Sequence, residues 1–409
     1  MIHKLLPVFS VAACLGACAI EPESGRIVGE TTDERGFHWV EFLIADASGR
    51  PGTTTHAQVE AQLVQLIDSA SRDIVFAVSQ FDSIPVAEAL VRARVRGVTV
   101  RGAGDVDLQS DAGFSPVLAS GIPVTFGNGE LFWNPQPGLD LVRSGEINQM
   151  FQNIVVVDVA RFAMLSSGFL ASDEQRTWMA AFGSYEELGR DIRDIIEQLH
   201  GGLFATTLTG FDASLSTDTN NRTIYPTNAE AWEFYFGPGE PLMKHVIDEV
   251  YDARCSVWTA SEQFAHATFA DALIYKARAG FDVRVFVEVG ADEQVGSQVA
   301  RLEAEFDALR PEGQAWPRLY RVANLPQATV LLDTEPSPID GLLYPGSLMV
   351  LTQTFHSAGP FIANSTDTRA SDIFTDASMF VIPANPARQQ PNFDAGVRWF
   401  KGLAAEVAP

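Results

Sequence analysis

Histidines, lysines and cysteines, the side chains most used for proton transfer, nucleophilic attack and transition-metal binding, are few in this chain of 409 residues. Its histidines are His3, His38, His56, His200, His245, His266 and His356, its lysines Lys4, Lys244, Lys276 and Lys401, and its cysteines Cys14, Cys18 and Cys255. None has the spacing of a zinc site, a phosphate-cradling glycine loop or a Ser-His-Asp nucleophile arrangement. Two acidic groups, Asp105, Asp107, Asp111 and Asp212, Asp218, Asn220, Asn221, could in principle hold calcium. Neither follows the 1, 3, 5, 12 ligand order around an invariant glycine, so both read as solvated loops and no cofactor is called for. His200, just before two glycines, reads as the end of a helix begun near Glu187, where an imidazole suits the dipole.

The N-terminus bears on where the chain works. Residues 1–17 combine Lys4, a short apolar run over 5–17 and small residues at its end, the pattern of a processed signal and too short to span a bilayer. Leu15, Gly16, Ala17 and Cys18 resemble a bacterial lipobox, which implies lipidation of Cys18; Ala19 in place of aspartate resembles the pattern sorted to the outer membrane of Gram-negative cells. Residues 18–40 then read as a tether. With 1–17 removed and Cys18 acylated, Cys255 is left alone, so no intrachain disulfide forms, and its apolar setting reads as a core cysteine. The 52 acidic against 28 basic residues give a net charge of −24, a field that repels polyanions and argues against a broad nucleic-acid surface.

An internal repeat orders the rest. Residues 58–105 read helix, strand, helix, strand, and 241–292 repeat the pattern. One offset of 183 carries Ala70 onto Ala253, Phe81 onto Phe264, Ala89 onto Ala272, Leu90 onto Leu273, Gly97 onto Gly280 and Val100 onto Val283. A gapless offset through two helices and two strands indicates duplication, with mixed or parallel sheets covered by helices. Modules are expected over 41–206 and 241–409, with 207–240 as a linker that also packs between them. Its aromatic run, Trp232, Phe234, Tyr235 and Phe236, reads as core between two sheets or as a ligand platform. Further strands are expected at 122–126, 154–157 and 348–351, and a short helix after 394.

This order, the duplication and the phrases AEALVRARVRGVTVR and EQLHGGLFA resemble the phospholipase D superfamily. The resemblance implies two α/β/α sandwich modules with mixed sheets about a pseudo-two-fold axis. It also implies a site at their meeting place built from paired His-x-Lys-x-x-x-x-Asp and Gly-Ser-x-Asn motifs. In the first module MFQNIVVVDVARFAMLSSGF puts Phe151 at the His place, Asn153 at the Lys place and Asp158 at the Asp place, with Ser166 and Ser167 near the Gly-Ser pair. In the second, YPGSLMVLTQTFHSAGPFIANSTDTRAS puts Pro345 at the His place, Ser347 at the Lys place and Thr352 at the Asp place, with Asn364 downstream. His356 is the remaining catalytic candidate, against a packed or surface imidazole. Asp158 reads as a cap on the turn after its strand, and Asn153, Ser166, Ser167 and Asn364 as a neutral ligand pocket.

Three functions follow as expectations. The first is a non-catalytic envelope lipoprotein that binds or scaffolds, with a small anionic ligand or an envelope protein as partner. The others are a divergent phosphodiesterase or phospholipase and a solute-binding lipoprotein using the cleft between modules.

Overall fold

The computed structural model describes residues 38–127, 150–172, 175–201, 222–224, 231–236, 242–294, 296–310, 316–337, 339–355, 377–384 and 390–407. Cys18, His356, Asn364 and the group from Asp212 to Asn221 lie outside them. All described residues belong to one compact unit.

Two sheets carry the fold. The first is built from β1 (Trp39–Ala45), β2 (Asp73–Val78), β3 (Thr99–Asp105), β4 (Val124–Gly127), β5 (Asn153–Val157), β6 (Arg161–Leu165) and β7 (Trp178–Ser184), in the order β1-β7-β6-β5-β2-β3-β4. The second contains β8 (Arg222–Ile224), β9 (Trp232–Phe236), β10 (Ser256–Ser261), β11 (Asp282–Glu288), β12 (Arg318–Val322), β13 (Ala328–Leu332), β14 (Ser347–Leu351) and β15 (Ser378–Pro383), in the order β12-β11-β10-β13-β14-β15-β9-β8. Read from the β4 and β12 ends, seven strands match one for one, and β8 adds an eighth to the second sheet. Only β2-β3-β4 and β10-β11-β12 run parallel, and the remaining neighbours are antiparallel. The modules are therefore two copies of one mixed-sheet α/β design.

The helices are α1 (His56–Asp68), α2 (Ile84–Val95), α3 (Phe114–Ala119), α4 (Glu186–His200), α5 (Leu242–Asp252), α6 (Ala267–Arg278), α7 (Val299–Leu309) and α8 (Pro391–Glu406). Their starts are written locally. Thr55 and Gln58 form a reciprocal capping box on α1, Ser83 caps α2 through the Val86 amide, and His266, at the same repeat position, caps α6 through the Phe269 amide. Gly97 and Gly280 turn the chain into β3 and β11 with φ of 90° and 85°, a region that costs other residues energy.

Both faces of each sheet are covered, which is why β2, β5, β13 and β14 read as nearly unbroken apolar runs instead of alternating ones. The outer face of the first sheet packs on α1, α2 and α3, and that of the second on α5, α6 and α7. The inner faces share one core with α4 and α8: Phe42, Val156, Ile192, Trp232, Phe234, Leu348, Phe380 and Trp399 belong to it.

Three boundaries differ from the sequence reading. Residues 39 and 40, placed in the tether, already pair with β7, because the alternation of Trp39–Ala45 suits a half-covered edge strand. Residues 232–236, placed in the linker, are a strand of the second sheet, with Trp232, Phe234 and Phe236 wholly buried between the modules; the core reading of that run holds for these three. The terminal helix is a full 16 residues, and it docks on the first strand of the chain.

Candidate functional site

The two modules meet where β5 and β13 begin and β6 and β14 end. Matching strand to strand, β13 is the counterpart of β5 and β14 the counterpart of β6. The run Phe-Gln-Asn-Ile-Val-Val-Val-Asp (151–158) therefore equals Pro-Gln-Ala-Thr-Val-Leu-Leu-Asp (326–333). Independent bonds fix this register. Asp158 accepts the amides of Ser71 (3.0 Å), Arg72 (2.7 Å) and Asp73 (3.2 Å), and Asp333 accepts those of Arg254 (2.9 Å), Cys255 (2.6 Å) and Ser256 (3.3 Å), residues exactly one repeat later.

This overturns the second-module alignment. Pro345, Ser347 and Thr352 are not the partners of Phe151, Asn153 and Asp158; Pro326, Ala328 and Asp333 are. Thr352 equals Ser166: each hydroxyl accepts a backbone amide of the next strand, Ser166 from Met179 (3.0 Å) and Thr352 from Ser378 (2.8 Å). Pro345 and Ser347 sit at the opposite end of β14, a five-residue strand of about 17 Å at ~3.4 Å per residue. Asp158 also differs from its expected role, since it caps the turn between α1 and β2 and not the turn after its own strand.

At the junction the polar groups are buried and mostly tied to backbone. Asn153 Oδ1 accepts from the Ser79 amide (3.0 Å) and hydroxyl (2.8 Å). Gln152 reaches into the other module, donating to Ala377 O (3.0 Å) while its carbonyl accepts from the Ser378 hydroxyl. Thr177 donates through its amide (3.0 Å) and hydroxyl (2.7 Å) to Asn324 O, and the Thr329 hydroxyl meets Met179 Sδ at 3.1 Å. Phe151 packs into the apolar core of the second module. Ser167 Oγ and Gln353 Oε1, equivalent positions of the two repeats, are buried without a hydrogen-bond partner among the described residues. Next to Ser167, Gly168 is required: a Cβ there would lie 2.1 Å from Gln80 O.

One carboxyl beside the junction is perturbed. Asp105 is fully buried and pushed up to about 6 by burial, while the amides of Met150 (2.7 Å) and Asp107 (2.8 Å) favour its charged form. It is thus no part of a solvated loop. Asp111 likewise holds the Phe81 amide at 2.9 Å. His200 ends α4 as expected and contacts Gly102 O at 2.9 Å through Nδ1. Cys255 is buried.

The sequence reading missed Gln152, Pro326, Gln327, Ala328, Asp333 and Gln353. A signal for them exists: the eight-residue runs 151–158 and 326–333 share Gln at the second place and Asp at the last, with apolar residues before the Asp.

No family model matches this chain, and no curated protein does. Solved structures do. Phosphatidylserine synthase from Haemophilus influenzae Rd KW20 aligns with a TM-score of 0.56 at 13% identity, over 89% of this chain and 85% of the synthase. Polyphosphate kinase from Porphyromonas gingivalis aligns with a TM-score of 0.46 at 9% identity over 85% of this chain, which spans 48% of the kinase, about half its length. Nuc from Salmonella typhimurium, a phospholipase D family member, aligns over 38% of this chain and 90% of its own, with a TM-score of 0.28 and 18% identity. At these identities the likeness concerns fold alone, and the fold of this chain is a duplicated, phospholipase D-like α/β architecture.

Proposed function

We propose that this chain uses the duplicated fold for binding or scaffolding in a cell envelope, held to a membrane by a lipid on Cys18, and does not perform phosphoryl transfer at the module junction. The carrying observation is the pair of residues each module brings there: Phe151 with Asn153, and Pro326 with Ala328. By the resemblance, these places would hold the attacking and proton-donating imidazoles and the lysines that steady phosphoryl oxygens. A phenyl ring and a pyrrolidine ring can neither attack phosphorus nor pass a proton. An amide and a methyl group bring no positive charge to a dianionic transition state.

Purified full-length chain is expected to give no turnover of bis-p-nitrophenyl phosphate, phosphatidylcholine or cardiolipin. Turnover lost in His356→Ala would establish the divergent hydrolase instead. Incorporation of labelled palmitate, lost in Cys18→Ser, tests the anchor.

A second reading, a small polar solute held between the modules, is supported by the unpartnered Ser167 Oγ and Gln353 Oε1. Burying such atoms without a partner costs about 1–3 kcal/mol each, which a bound hydroxyl or amide would relieve.

A further inference from the structure

The duplication gives each cavity in one module a reference in the other. On the outer face of the second sheet, between α5 and strands β9, β13, β14 and β15, lies a cleft of about 630 Å³ floored by Leu332, Met349, Met379 and Val381. That volume is in the range of small-molecule sites.

In the first module the same place holds an arginine. Arg161 opens β6, and its guanidinium donates to Ser69 Oγ (2.5 Å), Ser69 O (3.1 Å) and Asp158 (2.7 Å). Leu66 and Phe182 belong to the outer core of that module. The strand pairs Val157–Arg161–Ser184 and Leu332–Ser347–Pro383 are equivalent, so Arg161 becomes Ser347. By the same matching Ser69 becomes Asp252, Leu66 becomes Glu249 and Phe182 becomes Val381. The Arg161 cation and the Phe182 ring have gone from this place and two carboxylates have arrived, while Arg254 stands at the place of Ser71 and Tyr235 at that of Leu43.

Ser347 is 8% exposed, lies on the same face of β14 as Met349, lines the cleft, and its hydroxyl has no hydrogen-bond partner among the described residues. Four carboxylates line the space (Glu233, Glu249, Asp252 and Asp333) against one guanidinium, that of Arg254, which lies over the Tyr344 ring at 5.1 Å. Tyr235 donates to Glu233 at 2.7 Å and lies tilted against His245, ring centres 4.5 Å apart, forming one wall.

We propose that this cleft binds an organic cation, a guanidinium or primary ammonium on a short apolar stem, whose charged head takes the place that the Arg161 guanidinium holds in the first module. Asp252 and Asp333 then stand where Ser69 and Asp158 meet Arg161, Ser347 offers its hydroxyl, and the methionine floor takes the stem. The inference is independent of what happens at the module junction.

Calorimetric titration of the full-length chain with n-butylguanidinium and n-butylammonium tests it, with n-butanol and butyrate as neutral and anionic controls. Saturable binding of the cations alone is expected, weakened about tenfold in Glu249→Gln, as loss of one charged contact of about 1.4 kcal/mol implies. Ser347→Arg restores the first-module residue and is expected to abolish binding. Should that variant not fold, the pair Glu249→Leu with Val381→Phe fills the cleft by the first module's own side chains and serves the same purpose. No saturable heat from either cation, equal binding of butanol or butyrate, or cation binding that survives the filled variants would overturn the proposal.

Discussion

Asp158 and Asp333 stand at the same point of the two modules, both with left-handed backbone (φ of 51° and 55°), and each gathers three successive amides from the turn before β2 or β10. Their surroundings then part. Asp158 has the Arg161 guanidinium at 2.7 Å, whereas Asp333 faces the cleft in which Ser347 replaces that arginine.

The two aspartates should therefore answer pH in opposite ways. Burial raises Asp158, but the amide and hydroxyl bonds from Arg72 and Ser71 outweigh it and hold the carboxyl below the usual range. For Asp333 burial wins over the same kind of bonds, and the carboxyl is raised. The lowered group stabilises the fold above its unfolded value, a contribution lost as pH falls through the folded value; the raised group contributes at low pH, and this is lost as pH rises through its folded value. Asp158→Asn should cost about 2 kcal/mol at neutral pH, with the penalty shrinking on acidification, and the Asp333→Asn penalty should grow instead. Urea denaturation across the acid range distinguishes the two slopes.

Asp105 offers a single-site version of the same sign. Its carboxyl is pushed up to about 6 by burial, so its favourable contribution belongs to low pH and is lost as pH rises through about 6. Asp105→Asn keeps one acceptor for the Met150 amide and removes the buried charge. The variant should be more stable than the natural chain by about 1 kcal/mol at slightly alkaline pH, because the buried charge it removes costs more than the Asp107 amide bond, which an Asn NH2 cannot accept. The advantage should vanish below about pH 4. An advantage that does not change with pH would mean that Asp105 is not the titrating group.

Phe151 is expected to act as a packing residue. It is 5% exposed within the apolar core of the other module, so Phe151→Ala should cost about 3–5 kcal/mol, and Phe151→Leu much less. Phe151→His, which restores an imidazole, should destabilise without producing phosphodiesterase turnover, since Asn153, Pro326 and Ala328 still offer neither a second proton carrier nor a cation. Chemical denaturation and a bis-p-nitrophenyl phosphate assay read the two halves of this prediction separately.

The last helix should be indispensable. Asp46, just after β1, accepts from Trp399 Nε1 at 2.8 Å and pairs with Arg50, which also bonds Glu406, and Asn392 accepts the Phe42 amide at 3.0 Å. The Arg50 and Asp46 side chains are 5% and 2% exposed. Asp46→Ala leaves a buried guanidinium and an indole N–H short of a partner, at a cost of about 3–5 kcal/mol. Burial alone would raise the Asp46 carboxyl, but its bonds to Ser48 and Trp399 and the Arg50 charge hold it low; this stabilisation is lost as pH falls through the lowered value. Trp fluorescence and denaturation midpoints measure both effects, and a chain ending at residue 390 should fail to fold.

The repeat was legible because a duplicated βα unit keeps its glycines and small helix residues: Gly97 and Gly280 must adopt the same left-handed turn, and Ala89 and Ala272 face the same crowded sheet. The register of the second motif is not legible in the sequence because the segments before and after β4 and β12 both differ in length, so the offset of 183 rises to 195 at β4 and β12 and falls to 175 at β5 and β13. Tyr235 shows the same limit from the other side. Alternation puts it on the opposite face from Phe234, and nothing in the run says that this face is a cleft.

The duplicated α/β order and the scarcity of histidine, lysine and cysteine are legible in the chain alone, because these depend on residues close together in it. Only the tertiary structure decided which strands are equivalents, that Pro326 and Ala328 stand opposite Phe151 and Asn153, and that Ser347 lines a cleft where the first module holds Arg161. Those relations join residues more than a hundred positions apart, and they exist only once hydrogen-bonded sheets set one register against another.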